Sequence, residues 1–156
     1  MRGESTIPGD PSIGELKHDA GRMQQRARGL ETARICARVA DELRGRETLI
    51  LDLTRLTPII DFFVITTGAS GRQMHAIADE INRVLKAAGH RRLGREGVES
   101  NSWILLDFGD VVVHVFNEDA RAKYDLEHLW ADAGLIDWKG NDECRNQNVE
   151  GMTKSE

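Results

Sequence analysis

No window of the chain reaches the roughly eighteen consecutive apolar residues that a membrane-spanning helix requires. The opening stretch MRGESTIPGDPSIGELKHDAGR lacks the apolar core of a secretory signal. Cysteine is scarce: Cys36 and Cys144 stand far apart, offer no disulfide framework, and fit a reducing cytoplasm. Histidine and carboxylate spacings contain no H-x-x-E-H or related set, so no metal is expected. Excess positive charge is also missing. At a net charge of −5 the chain as a whole is repelled by bare nucleic acid, and it suits a basic protein partner better. Little or no direct nucleic-acid contact is therefore expected. The one basic cluster, Lys86, His90, Arg91, Arg92 and Arg95, reads as solvated charge around a helix end, with a phosphate contact as the alternative.

What remains is enough for one domain: 156 residues, 40% of them hydrophobic. Residues 1–29 carry Gly, Pro and charge without apolar periodicity and are expected to be disordered; a start at Met23 is an alternative to Met1. Residues 138–156 are similarly polar and read as a flexible tail, leaving 30–137 as the folded domain. Within it, Ile35, Val39 and Leu43 recur at helical spacing, and Gly45 stands where a left-handed cap would fall. Strands are expected over 48–53 and 62–67. Ser70 and Gln73 then form a capping-box pattern ahead of the stripe Met74, Ile77, Ala78, Ile81, Leu85 and Ala88, with Gly89 as the stop. A short strand near 91–94, two strands around 102–116 and one or two short helices over 119–130 complete an α/β fold, a mixed sheet of about five strands flanked by helices.

The stretch SWILLDFGDVVVHVFNED contains Asp107-Phe108-Gly109, which matches a kinase metal motif, but the accompanying Gly-rich loop, strand lysine and His-Arg-Asp loop are absent. A hairpin turning at Gly109-Asp110 explains it better: Trp103 then faces Phe116 and Leu105 faces His114. Turning at Phe108-Gly109 would oppose Asp107 to Asp110. Either register puts Ile104, Leu106, Val111, Val113 and Val115 on one face, expected against the helices. The other face, with Trp103, Leu105, Asp107, Val112, His114 and Phe116, has the mixed composition of a contact surface. The loop 68–71 is either a tight strand-to-helix joint or an anion site. Nucleotidyl transfer there would need paired carboxylates on an adjacent strand, and the strand after this helix has no Asp-x-Asp.

Several signals then occur in order: Asp61-Phe62-Phe63-Val64-Ile65, Gly68 and Ser70 with Arg72-Gln73, Ala76-Ile77-Ala78-Asp79, Glu96-Gly97, Trp103 with Asp107, the 109–116 run, and Tyr124-Asp125-Leu126-Glu127-His128-Leu129-Trp130. Over residues 31–133 the chain closely resembles the ribosomal silencing factor family, also called the Iojap family. The resemblance implies a nucleotidyltransferase-like fold without its catalytic carboxylates, no enzymatic activity and no cofactor. It further implies binding to the large ribosomal subunit through ribosomal protein number fourteen, which blocks the small subunit from joining, and a possible homodimer when free. The partner-binding positions it carries over are Trp103, Leu105, Asp107, His114, Tyr124 and Leu129, with Asp110 shaping the hairpin tip beside Asp107. Leu126, Leu129 and Trp130 also stand at the spacing of an inward helix face. The alternative function is a nucleotide-binding or nucleotidyl-transferring enzyme that uses the loop 68–71.

Overall fold

The strands with the longest β-branched and aromatic runs are buried at every position, FFVITT in β2 (Phe62–Thr67) and VVVHVF in β5 (Val111–Phe116). They are the parallel pair at the middle of the sheet, where both faces must be covered. The computed structural model, which describes residues 13–140, runs α1 (Ile13–Glu42), β1 (Arg46–Asp52), β2, α2 (Gly71–Ala87), β3 (Gly94–Glu96), β4 (Trp103–Asp107), β5, α3 (Glu118–Tyr124), α4 (Leu126–Leu129) and β6 (Gly134–Ile136). The strand order is β3-β4-β5-β2-β1-β6 and every pair other than β2 with β5 is antiparallel. The sheet is therefore mixed, as expected, but has six strands instead of about five. The additional strand, β6, has only three residues and pairs with β1 at the outer edge.

On one face, α1 and α2 cover Ile104, Leu106, Val111, Val113 and Val115, the aliphatic side of the hairpin. From α2 come Met74, Ile77, Ala78, Ile81 and Leu85. From α1 come Ala33, Cys36, Ala37 and Ala40, all fully buried, so the helix meets the sheet through small side chains. Ile35 and Leu43, expected at its centre, pack only partly buried at the margin. Burial also pushes the Cys36 thiol well up, leaving it an inert core residue. Cys144 lies outside the described residues.

Both ends of α2 follow from local chemistry. Ser70 Oγ accepts the Gln73 N–H at 3.1 Å, and Gln73 Oε1 accepts the Ala69 N–H at 2.5 Å. The Gln73 amide also donates to the carbonyls of Leu43 and Arg44, each at 3.0 Å, which ties the end of α1 to the start of α2. At the far end the Gly89 N–H reaches Lys86 O and the His90 N–H reaches Leu85 O, a Schellman closure with Gly89 at φ 90°.

The chain departs from expectation at three places outside the sheet. Helix α1 begins at Ile13, so the disordered reading of 1–29 fails from there on; residues 1–12 lie outside the described part. Residues 14–28 are exposed all round, so no apolar stripe marks them, yet Glu, Leu, Lys, Ala, Arg, Met and Gln are strong helix formers that extend a helix already nucleated by its packed half. Gln25 Nε2 to Asp110 Oδ1 at 3.1 Å and Arg26 to Asp52 at 2.6 Å fasten this segment to the sheet end. The left-handed residue after α1 is Arg44 at φ 67°, while Gly45 is required for space, since a Cβ there would stand 2.5 Å from Thr66 Oγ1. Trp138, placed in the flexible tail by composition, is 7% exposed in the first core and donates its indole N–H to Thr48 O at 3.0 Å. Residues 141–156 lie outside the described part.

Candidate functional site

The β4–β5 hairpin has the expected register, with Trp103 opposite Phe116, Leu105 opposite His114 and Asp107 opposite Val112. Gly109 sits at φ 92° in the two-residue turn, and the Phe108 N–H closes it on Val111 O at 2.9 Å. Asp107 Oδ1 accepts the Gly109 N–H at 2.8 Å, so the Asp-Phe-Gly tripeptide is a turn held by its own aspartate. Asp110 receives Gln25 at the same tip. Burial and then the adjacent Asp110 charge raise the carboxyl of Asp61, which Arg26 partly offsets.

The hairpin's second face is only partly a surface. Val112 and Phe116 join Leu51, Leu53, Phe63 and Ile65 in a second core with Ala120 of α3 and Leu126 of α4, and the buried His114 ring packs on its Phe63 and Phe116. A mixed aromatic and polar face reads as a contact surface until two short helices are seen to fold over half of it. His114, expected to touch a partner, is 3% exposed, packed against Phe63, Trp103 and Phe116. Its Nδ1 accepts the Trp103 indole N–H at 3.1 Å, which places the proton of the neutral ring on Nε2. Burial pushes its pKa down to about 4, so the ring is neutral at physiological pH. Phe63 meets it edge-on at 4.5 Å.

Above this base Trp103 is half-buried, stacked at a tilt on Phe116 at 5.0 Å and on Tyr124 at 4.6 Å. Tyr124 is 44% exposed. Trp103, His114, Phe116 and Tyr124 thus form one aromatic stack whose upper members reach solvent. Leu105 and Asp107 continue along β4, half-buried. Of the 126, 129, 130 trio, Leu126 and Trp130 turn inward, the latter edge-on to Phe63 at 5.9 Å, whereas Leu129 points out at 71% exposed. Leu135 on β6, equally exposed, was not anticipated because its strand was not.

Arg121 also escaped the sequence reading. Its buried guanidinium donates to Thr67 Oγ1 at 3.0 Å and to Glu127 at 3.2 Å, clamping α3 and α4 onto the end of β2. No spacing signal in one sequence distinguishes it from a surface arginine. Asn117 caps α3 by accepting the Ala120 N–H at 2.7 Å, and Asp125 at φ 42° makes the corner into α4.

The loop 68–71 is a tight joint and not an open cradle. The Gly68 N–H bonds Phe116 O at 2.8 Å, the Ala69 N–H is held by Gln73, and a Cβ on Gly68 would lie 2.7 Å from Met74 Cγ. Among the described residues no group of three or more His, Cys, Asp or Glu side chains is placed to hold a metal ion, and no helix is long and apolar enough to cross a membrane.

The family model described as ribosomal silencing factor during starvation matches residues 25–156. A Halalkalibacterium halodurans protein named ribosomal silencing factor is 38% identical over 110 residues, covering 70% of this chain and 94% of that one. A crystal structure of a Chromobacterium violaceum protein aligns with a TM-score of 0.64 at 33% identity, over 74% of this chain and 95% of its own. A mouse protein named mitochondrial assembly of ribosomal large subunit protein 1 is 34% identical over 89 residues, 55% of this chain and 39% of that protein. The chain belongs to the ribosomal silencing factor family, whose members regulate translation and are not enzymes.

Proposed function

We propose that the protein binds the large ribosomal subunit through ribosomal protein number fourteen and, by occupying that place, keeps the small subunit from joining. The observation that carries this reading is the aromatic stack: Trp103 and Tyr124 reach solvent while Trp103 is fixed from below by Phe116 and by its hydrogen bond to His114. An aromatic anchor already locked in one rotamer loses little freedom on docking, which favours a central role in an interface. Leu105, Asp107 and the exposed Leu129 extend the contact, and Asp110 supports the hairpin tip. His114 serves beneath the surface as the group that positions Trp103. The acidic charge of the chain suits a basic ribosomal protein. The name of the mouse relative, which refers to large-subunit assembly, points to the same subunit. Repression of this kind is steric and turns nothing over, and it would operate where ribosomes join, in the cytoplasm.

Co-sedimentation with purified subunits tests the binding step. The protein is expected in the large-subunit pellet and absent from the small-subunit pellet, with Trp103→Ala left in the supernatant. Pelleting with the small subunit alone would overturn the reading.

A further inference from the structure

Three full positive charges lie close together at the end of α2: Lys86 in its last turn, then Arg91 and Arg92 in the loop before β3, with His90 between them. The helix end accounts for Lys86 at most. The Val84, Leu85 and Lys86 carbonyls are taken by the Ala88, Gly89 and His90 N–H groups, and the two arginines stand beyond the last turn, where the helix dipole has faded. Neighbouring arginines are held: Arg83 lies 2.7 Å from Glu80 and Arg95 lies 2.9 Å from Asp79. Among the described residues, no hydrogen bond or ion pair engages the side chains of Lys86, Arg91 or Arg92. Arg91 and Arg92 are exposed, on a chain whose net charge is −5.

The loop abuts the hairpin. The Leu93 N–H donates to Asp107 O at 2.7 Å, and Gly94 pairs with Asp107 in the β3–β4 ladder. Uncompensated cations thus stand one or two residues from the tip of the surface that the proposed function turns towards a basic ribosomal protein. Like charges set side by side at an interface are unfavourable, so this loop does not suit the basic protein itself and fits a neighbour of opposite sign beside it. On a ribosomal subunit the abundant anion around a protein is the RNA backbone. Arginine's planar fork matches phosphate oxygens bidentately. The loop, His90-Arg91-Arg92-Leu93-Gly94, holds no Phe, Tyr or Trp on which a base would stack, so its contact would be to phosphate and independent of base sequence.

We propose that the α2–β3 loop is a second contact of this protein, made by Lys86, Arg91 and Arg92 to backbone phosphates of ribosomal RNA beside the protein-docking hairpin. This rests on the large-subunit reading above and revises the expectation of little or no nucleic-acid contact.

The test compares the full chain with a Lys86→Gln/Arg91→Gln/Arg92→Gln variant, binding two targets across a range of potassium chloride concentrations: intact large subunits and isolated ribosomal protein number fourteen. On subunits, the variant's plot of log affinity against log salt should be shallower by about two to three, roughly one for each lost phosphate contact. On the isolated protein its affinity should match the wild type. Its melting midpoint should also match, since all three side chains are solvated. An unchanged salt slope on subunits would overturn the proposal by leaving the loop in solvent. Equal weakening on the isolated protein would overturn it by assigning the loop to a protein contact. Failure of the folded wild type to bind subunits would refute the large-subunit reading and this proposal together. Normal binding by Trp103→Ala would refute the hairpin assignment alone, and the loop would still be judged by its own slope.

Discussion

Protonating His114 would place a charge against Trp103, Phe63 and Phe116 at a position only 3% exposed, and burial holds its pKa down at about 4 against an ordinary 6.5. Above pH 6.5 the ring is neutral in both the folded and the unfolded chain, and its titration contributes nothing. Between 6.5 and 4 the unfolded chain takes up a proton that the folded chain refuses, so stability falls as the pH falls. At about 1.4 kcal/mol per pH unit, the gap removes about 3 kcal/mol by pH 4. The comparison variant is His114→Asn, whose side chain offers an acceptor to the Trp103 indole but does not titrate. Urea unfolding of both proteins from pH 7.5 to pH 4 isolates the histidine, because carboxylates such as Asp52 titrate in both and cancel in the difference. The wild type should be the more stable at pH 7.5, and its advantage should shrink by about 3 kcal/mol by pH 4. Two curves that stay parallel throughout would refute the buried, neutral assignment.

Trp103→Ala should weaken large-subunit binding by about 30- to 1,000-fold, the usual effect of removing a central aromatic anchor, while the variant still unfolds cooperatively. Leu106→Ala, fully buried beneath α1 and α2, should instead lower stability by about 2 to 5 kcal/mol in denaturant titrations and leave the affinity of the folded fraction unchanged. Trp138→Ala should destabilise by about 3 to 5 kcal/mol, because the residue closes the first core; a flat response would restore it to the tail. Gly97→Ala forces a side chain onto φ 81° and into the Trp103 carbonyl, and should lower the melting midpoint and also weaken binding by shifting β4, measured by calorimetry and co-sedimentation. Removing residues 1–24 should leave the cooperative melt intact, since no described side chain before Gly29 is buried.

The elements that could be read from the sequence are those whose local and global signals agree. Helix α2 announces itself by Ser70, Gln73 and Gly89, whose bonding roles are those their positions imply, and by an apolar stripe that is buried from Met74 to Leu85, whereas Ala88, expected in it, is the exposed C-cap. The hairpin's two faces were fixed by parity, since either turn gathers Ile104, Leu106, Val111, Val113 and Val115, and its register by the turn, since Gly109-Asp110 avoids setting Asp107 against Asp110. Helix α1 was half hidden, because its outer turns are exposed on every side and its inner turns bury alanines that carry little hydrophobic signal. Strand β6 has three residues, one of them glycine, too few to show alternation, and its existence depends on β1 lying alongside. The family motifs marked the hairpin and the 124–130 segment as the candidate site, but not the division of its face. Whether His114 is outside or inside depends on how α3 and α4 fold back, which is decided by Arg121, Asp125 and Leu126 at long range. Leu129 was ambiguous for a related reason: the four-residue α4 is too short for its inward spacing to hold through to its last residue.

Subunit joining, followed directly, bears most closely on the central claim. Purified large and small subunits are mixed in joining buffer with increasing amounts of the protein, and the products are separated on sucrose gradients. The joined peak should fall and both free peaks should rise in proportion to occupied large subunits, with Trp103→Ala inactive at the same concentrations. An undiminished joined peak, in gradients where the large subunits carry the protein, would contradict the claim that its binding keeps the two subunits apart.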